Sequence, residues 1–277
     1  MNNKTIKIPK SKPIQVALTV DRKEYLTPHY IRVYLRGPGT NKLAETTVGI
    51  NNKILIPPKG VQEIYFPELD PETRHWKPQN PAFAPVVRTY THRGINLEKN
   101  EIWIDFVVHG DEGPASAWAI QAQKGDALGV MMKQGKKRLY SPAENYILLG
   151  DATAIPVLAC ILEDLPSTAK GTCIIEVNSQ EDEQIIETRA DIDFIWLHNP
   201  FPQKGSKLSE VFKQQNLPQE NRFAYIAAEF STVKSIRNYL RKERHWERDE
   251  LYAYSYWKSG VAENKSAKAR LMEQKAD

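Results

Sequence analysis

The strongest constraint on this chain is a change of pattern near Tyr146. Before it, short runs alternate apolar and polar residues with period two and are broken by Pro, Gly and Asn. After it, apolar runs of strand length alternate with amphipathic stretches of helical period. In the first half the runs cover residues 14–20, 30–35, 53–56, 63–66 and 102–108. Ile31, Val33 and Leu35 share one face, Pro57 and Pro58 stop the third run, and Pro67 stops the fourth. Such runs predict an antiparallel barrel or sandwich. One helix interrupts them, over residues 115–124, between Gly113-Pro114 and Gly125.

The second half predicts strands at 146–149, 173–177, 194–197, 223–228 and 251–257. Helices are expected at 155–165, with Pro156 in the first turn, and at 207–214. Another is capped by Ser231 and runs to about Arg244, with Val233, Ile236, Tyr239 and Leu240 on one face. Strand–helix alternation implies a mostly parallel sheet. The expected architecture is α/β plus β: an antiparallel β-barrel over residues 1–142, then an α/β lobe over 143–277, with the boundary near Ser141 to Glu144. The tail from Val261 reads as an exposed or fraying helix.

Composition narrows the function classes. With 277 residues, 41% hydrophobic and 26% charged, the chain can bury a full core, and disorder is not the default reading. Cys160 and Cys173 sit in apolar runs and read as buried, reduced thiols, not a disulfide frame. The basic N-terminus up to Pro13 lacks the apolar core of a signal peptide, and no run approaches the ~20 apolar residues of a membrane span. A cytoplasmic protein is expected. A net charge of +4 does not imply nucleic acid, and Lys and Arg do not interleave with aromatics along one element. Gly-x-Gly-x-x-Gly, P-loop and Gly-x-Ser-x-Gly sequences are absent, and the six histidines lack metal-ligand spacing.

Four segments carry a chemical signal. In Arg88-Thr89-Tyr90-Thr91-His92-Arg93 a strand would put Arg88, Tyr90 and His92 on one face and Thr89, Thr91 and Arg93 on the other. Such a set suits an anionic, planar cofactor, with Arg on phosphate and Tyr on a ring; a plain exposed strand is the bland alternative. In the segment from His109 to Ala119 a strand gives way to a Gly-rich turn and a helix start of small residues, where free N–H groups and the Ser116 hydroxyl offer an anion site. It also reads as an ordinary connection. Gly150-Asp151-Ala152-Thr153-Ala154-Ile155-Pro156 follows a strand, where ligands bind in open α/β sheets. Tyr254-Ser255-Tyr256-Trp257-Lys258 sets aromatics beside a cation at the end of the last strand.

In this order, the segments resemble the siderophore-interacting proteins, a branch of the ferredoxin–NADP reductase-like flavoproteins. Arg-x-Tyr-Thr-x-Arg is complete as Arg88, Tyr90, Thr91 and Arg93, and His-Gly-x-x-Gly-Pro-Ala-Ser-x-Trp-Ala is complete from His109 to Ala119. Gly-Asp-x-Thr-Ala-x-Pro is complete from Gly150 to Pro156. The resemblance spans about Ile14 to Gly260. It implies a barrel that binds FAD and an activity that reduces Fe(III) in a siderophore to Fe(II). Arg88, Tyr90 and Thr91 would hold the flavin and its phosphate. Arg93, His109, Ala115 and Ser116 would face the pyrophosphate, with Val107 and Trp118 beside them. Asp151, Thr153 and Ala154 would flank the cofactor from the second lobe, and Tyr256 or Trp257 would cover a ring face. Lys53, Arg138 and Lys258 would collect an anionic ferric siderophore. Arg138 is picked from a run that also offers Lys133, Lys136 and Lys137.

Departures bear on the electron donor. Ala227-Ala228-Glu229 stands where Ala-Gly-Glu is usual, and the lost glycine would crowd a nicotinamide dinucleotide. NADH, NADPH and reduced ferredoxin all stay open as donors, and a basic face suits an acidic ferredoxin. Nucleic acid and membrane are not expected partners, and a monomer is expected. A flavin reductase with another acceptor and a non-catalytic siderophore carrier are the competing readings.

Overall fold

The computed structural model describes residues 13–73, 75–110 and 113–274. Most of the basic N-terminus, Asp111, Glu112 and the last three residues lie outside the described residues.

The first half forms β1 (Ile14–Thr27), β2 (Tyr30–Arg36), β3 (Asn51–Ile56), the short pair β4 (Glu68–Leu69) and β5 (Trp76–Lys77), β6 (Val86–Thr91), β7 (Gly94–Asn96), β8 (Glu101–Val107), α1 (Pro114–Gln121) and β9 (Ala127–Met132). Seven of these strands make one antiparallel sheet in the order β6-β3-β9-β1-β2-β8-β7. Its two edge strands, β6 and β7, are separated in sequence only by His92 and Arg93. The sheet must therefore curl until its edges meet, and the expected barrel is a curled sheet without a hydrogen-bonded seam. Its interior holds Val16, Leu18, Ile31, Val33, Ile54, Ile104 and Phe106.

The expected strand at 63–66 is not formed. Pro67 removes a ladder donor. The segment instead crosses the outside of β3 and β9, with Ile64 buried in a small cluster with Leu55, Ala127 and Met131. Gly129 makes room for it, since a Cβ there would sit 2.6 Å from the Ile64 side chain.

The second half forms β10 (Asn145–Asp151), α2 (Ile155–Asp164), β11 (Lys170–Val177), β12 (Asp191–His198), α3 (Leu208–Lys213), β13 (Arg222–Glu229), α4 (Phe230–Asn238), β14 (Leu251–Trp257) and α5 (Glu263–Gln274). The five strands are parallel, in the order β12-β11-β10-β13-β14, so the winding reverses between β10 and β13. Alternate residues of each strand face opposite layers. Ala224, Ile226 and Ala228 meet Phe212, Val233 and Leu240 of the α3–α4 side. Phe223, Tyr225 and Ala227 face the α2 side. The Ala228 methyl therefore points into the α3–α4 layer and does not crowd the space between the lobes.

Two further expectations change. The α4 cap is the Glu229 carboxylate, which accepts the Ser231 N–H at 2.6 Å, so Ser231 is the capped residue and not the cap. The tail is a docked helix, with Ser266, Arg270 and Glu273 buried.

Polar contacts rivet the lobes together. Arg93 reaches from the end of β6 to Glu163 of α2 at 2.5 Å, beside Asp105 of β8 at 3.9 Å. Arg32 of β2 holds Asp105 through two bonds of 2.7 and 2.8 Å. On the other flank the buried Asp182 accepts from the Thr27 hydroxyl and the His29 N–H of the barrel, each at 3.0 Å. Burial alone would raise the Asp182 carboxyl, but these bonds, with those from the His29 ring and Ser179, outweigh it and hold it below its ordinary value.

Two outcomes are expected. Gly150 lets α2 approach β10, since a Cβ there would lie 2.5 Å from the Ala154 methyl and 3.0 Å from Leu158. Gly150→Ala should lower the unfolding free energy by about 1–3 kcal/mol in urea titration. The lowered Asp182 carboxyl stabilises the fold above the unfolded value of about 3.9, and that contribution fades as pH falls through the lower folded value. Asp182→Asn should therefore be less stable than the parent at pH 7, with the gap closing in urea titrations below about pH 4.

Candidate cofactor and substrate cleft

A cavity of about 1250 Å³ runs between the curled sheet and the parallel sheet. Arg88, Tyr90 and Thr91 of β6 line it, as do Val107, His109, Ala115 and Ser116 around the start of α1. From the parallel sheet come Thr153, Tyr256 and Trp257. Four separate sequence segments thus meet in one space.

Each wall has a physical cause. The Tyr90 ring lies 4.6 Å from Phe106 in the barrel core, which fixes its plane, and burial pushes its hydroxyl pKa up. Arg88 donates to the Val87 carbonyl at 2.9 Å and makes no ion pair among the described residues, so its charge is available to an anion. At α1, Gly113 caps without a side-chain bond, and the Ala115 and Ser116 N–H groups precede the first intrahelical donor, the Ala117 N–H. These donors and the helix dipole suit a phosphate. The Ser116 hydroxyl is already committed, donating to the Gly110 carbonyl at 2.6 Å and accepting the His109 N–H at 3.2 Å. It shapes the loop, which leaves the Ser116 backbone N–H as the donor for a ligand.

Asp151 sits below the wall. Burial raises its carboxyl, and it accepts from the Thr153 N–H at 2.9 Å and from Trp257 Nε1 at 2.8 Å. It positions the two residues that reach the cleft. Tyr225 stacks on Tyr252 at 4.7 Å, and its hydroxyl lies 3.5 Å from that of Tyr256, which continues the aromatic wall.

Several expected residues lie elsewhere. Arg93 does not line the cleft; Asp105 and Glu163 hold it at the lobe junction. Trp118 packs on Phe106 at 5.6 Å inside the barrel, and Ala154 is fully buried against Gly150. Lys258 turns away, its ammonium 4.5 Å above the Phe230 ring. His92 is fully buried, and burial first, then Lys136, pulls its pKa down to about 4, so the ring is neutral. Of the three expected mouth cations, Lys53 and Arg138 line the cavity. Lys136 is tied to the Ala44 and Thr46 carbonyls at 2.9 and 2.8 Å, whereas Arg138 makes no ion pair among the described residues.

The cleft also uses residues that carried no signal of their own in the sequence. Tyr252 joins the expected Tyr254 and Tyr256, and the three alternate along β14, a period-two pattern that marks one face. Glu263 and Arg270 of α5 line the cavity too. The signal for α5 was the spacing of Ser266, Arg270 and Glu273 on one helical face.

An aromatic wall, a guanidinium without a carboxylate partner among the described residues and a helix N-terminus in one cavity fit a ligand that carries both a planar ring and phosphate. Comparisons with known proteins agree. Residues 19–137 match the siderophore-interacting FAD-binding domain, and residues 143–260 match the siderophore-interacting protein domain. Ferric vibriobactin reductase ViuB of Vibrio cholerae is 34% identical over 244 residues, covering 87% of this chain and 89% of that protein. The solved siderophore-interacting protein SipS from Aeromonas hydrophila superposes with a TM-score of 0.78 at 29% identity, over 95% of this chain and 98% of that one. A siderophore utilization protein from T. fusca gives 0.80 at 28% identity, over 91% and 96%. A ferredoxin NADP+ reductase from Neisseria gonorrhoeae, at 13% identity and a TM-score of 0.56 over 87% and 98%, shares the fold. With both lobes matched and a relative this similar along most of its length, the chain belongs to the siderophore-interacting protein family.

Proposed function

We propose that this protein is an FAD-dependent ferric-siderophore reductase. The observation that carries the reading is that the three flavin-type segments and the cations Lys53 and Arg138 open onto one cavity. Arg88 and the α1 N-terminus would hold the phosphates, Tyr90, Tyr256 and Trp257 the ring, and Thr91 and Thr153 its polar edge. Asp151 keeps Thr153 and Trp257 in place through the bonds described above. Bound FAD supplies single electrons to Fe(III) in the chelate, and hard oxygen ligands hold the resulting Fe(II) weakly. Lys53 and Arg138 draw an anionic chelate to the mouth, more strongly at low salt.

The two family models stop and start on either side of residues 138–142, which supports a domain boundary there. We place the protein in the cytoplasm, where the buried thiols Cys160 and Cys173 stay reduced. Among the described residues no helix is long and apolar enough to cross a membrane. It acts as a monomer, since one chain supplies both walls of the cleft. Electrons come from NADH, NADPH or a reduced ferredoxin, and stopped-flow reduction by each donor ranks them.

The test is the absorption spectrum of the purified protein, then anaerobic reduction and mixing with a ferric siderophore and a ferrous trap. Flavin reoxidation in step with trapped Fe(II) is expected. A colourless protein that no FAD can reconstitute would make it a carrier instead. Arg88→Ala should loosen FAD by roughly 10- to 100-fold in a fluorescence titration, the loss of one charge-assisted phosphate contact.

A further inference from the structure

We propose that Glu263, the first residue of α5, sets the charge preference of the cleft mouth by acting as the counter-ion of Lys53. The inference rests on the ferric-chelate reading above and deepens it. Lys53 and Thr89 face each other across the β3–β6 pair. The Lys53 ammonium donates to the Thr89 hydroxyl, which in turn donates to Glu263 Oε1 at 2.5 Å. The same carboxylate accepts the Thr89 N–H at 3.2 Å and lies 3.5 Å from the Lys53 ammonium. All three residues line the cavity.

The carboxylate is held, not merely nearby. Arg270 of α5 is buried and donates to the Ser255 and Tyr256 carbonyls at 3.1 and 2.5 Å. Glu273 pairs with Arg237 of α4 at 2.7 Å. The α/β lobe thus anchors α5, and the helix presents its first carboxylate to the barrel. The Lys53 side chain is 47% exposed and that of Glu263 22%, so both feel an incoming ligand.

The consequence is electrostatic. A neutral iron chelate is indifferent to the Lys53–Glu263 pair. A polyanionic chelate gains less from Lys53 than from the unpaired Arg138, because it meets a carboxylate beside the ammonium. Glu263 therefore levels the affinity for anionic and neutral chelates, as a specificity-determining residue and not a catalytic one.

The test uses gallium(III) complexes, which bind like the ferric ones but take no electron, titrated calorimetrically into FAD-loaded protein at low salt. Glu263→Gln should tighten a trianionic gallium tris-catecholate by about 3- to 10-fold and leave a neutral gallium tris-hydroxamate within about two-fold. In a Lys53→Gln background the effect of Glu263→Gln should vanish. Glu263→Asp, which keeps the charge, should keep the parent ratio. An equal change for both complexes, or one that persists without Lys53, overturns the inference. Should Glu263→Gln lose the fold, Lys53→Gln must weaken the trianion less than Arg138→Gln does, and the reverse order overturns it. Protein that shows the stated ranking but reduces neither ferric complex overturns the reductase reading alone. Protein that binds neither gallium complex overturns the inference.

Discussion

The guanidinium of Arg93 is the joint on which the molecule turns. It closes the short link between the two edges of the curled sheet and reaches across to Glu163 of α2. Asp105 stands beside it, fixed in turn by Arg32. The Arg93 side chain is only 11% exposed, so loss of one partner would strand a largely buried charge. Asp182 makes a second rivet with Thr27 and His29 on another flank. Between them, the two contacts tie the lobes at separate points of their junction. Such ties serve electron transfer, where placement is what the protein contributes.

Held this way, the parallel sheet leaves part of one face for the cleft. The face that carries Phe223, Tyr225, Tyr252 and Tyr256 is covered partly by α2 and partly by the barrel. Tyrosines suit such a half-covered wall, since each offers an apolar ring to a ligand and a polar tip to neighbours. The winding reversal between β10 and β13 places the Asp151 turn at the head of the same wall, where open α/β sheets bind their ligands.

Much of this was legible in the residues. Period-two runs gave the curled sheet, strand–helix alternation gave the parallel one, and three ordered motifs gave the cofactor wall. What escaped has physical reasons. Arg93 took its cofactor role from the family motif, but β6 ends at Thr91, the chain turns, and Glu163 holds the guanidinium at the lobe junction. Lys258 and Lys53 look alike in sequence, and only the packing of one against Phe230 separates them. Ser231 is the residue type that usually caps a helix, but α4 starts at Phe230, so the cap position falls on Glu229 at the strand end. The tail looked solvated because its buried residues are Ser, Arg and Glu, and Arg270 and Glu273 find their partners on β14 and α4.

The incomplete closure of the barrel has a further consequence. Because no hydrogen bonds join β6 to β7, the strand that carries the flavin signature is an edge strand. Its start is apolar and exposed, at Val86 and Val87. Such an edge is a template on which another chain can add a strand. The Thr89 N–H, which would seed that pairing, is occupied by the Glu263 carboxylate. The last helix thus doubles as a guard for the edge: a chain cut short after Gly260 would bare it, and solubility would suffer along with selectivity.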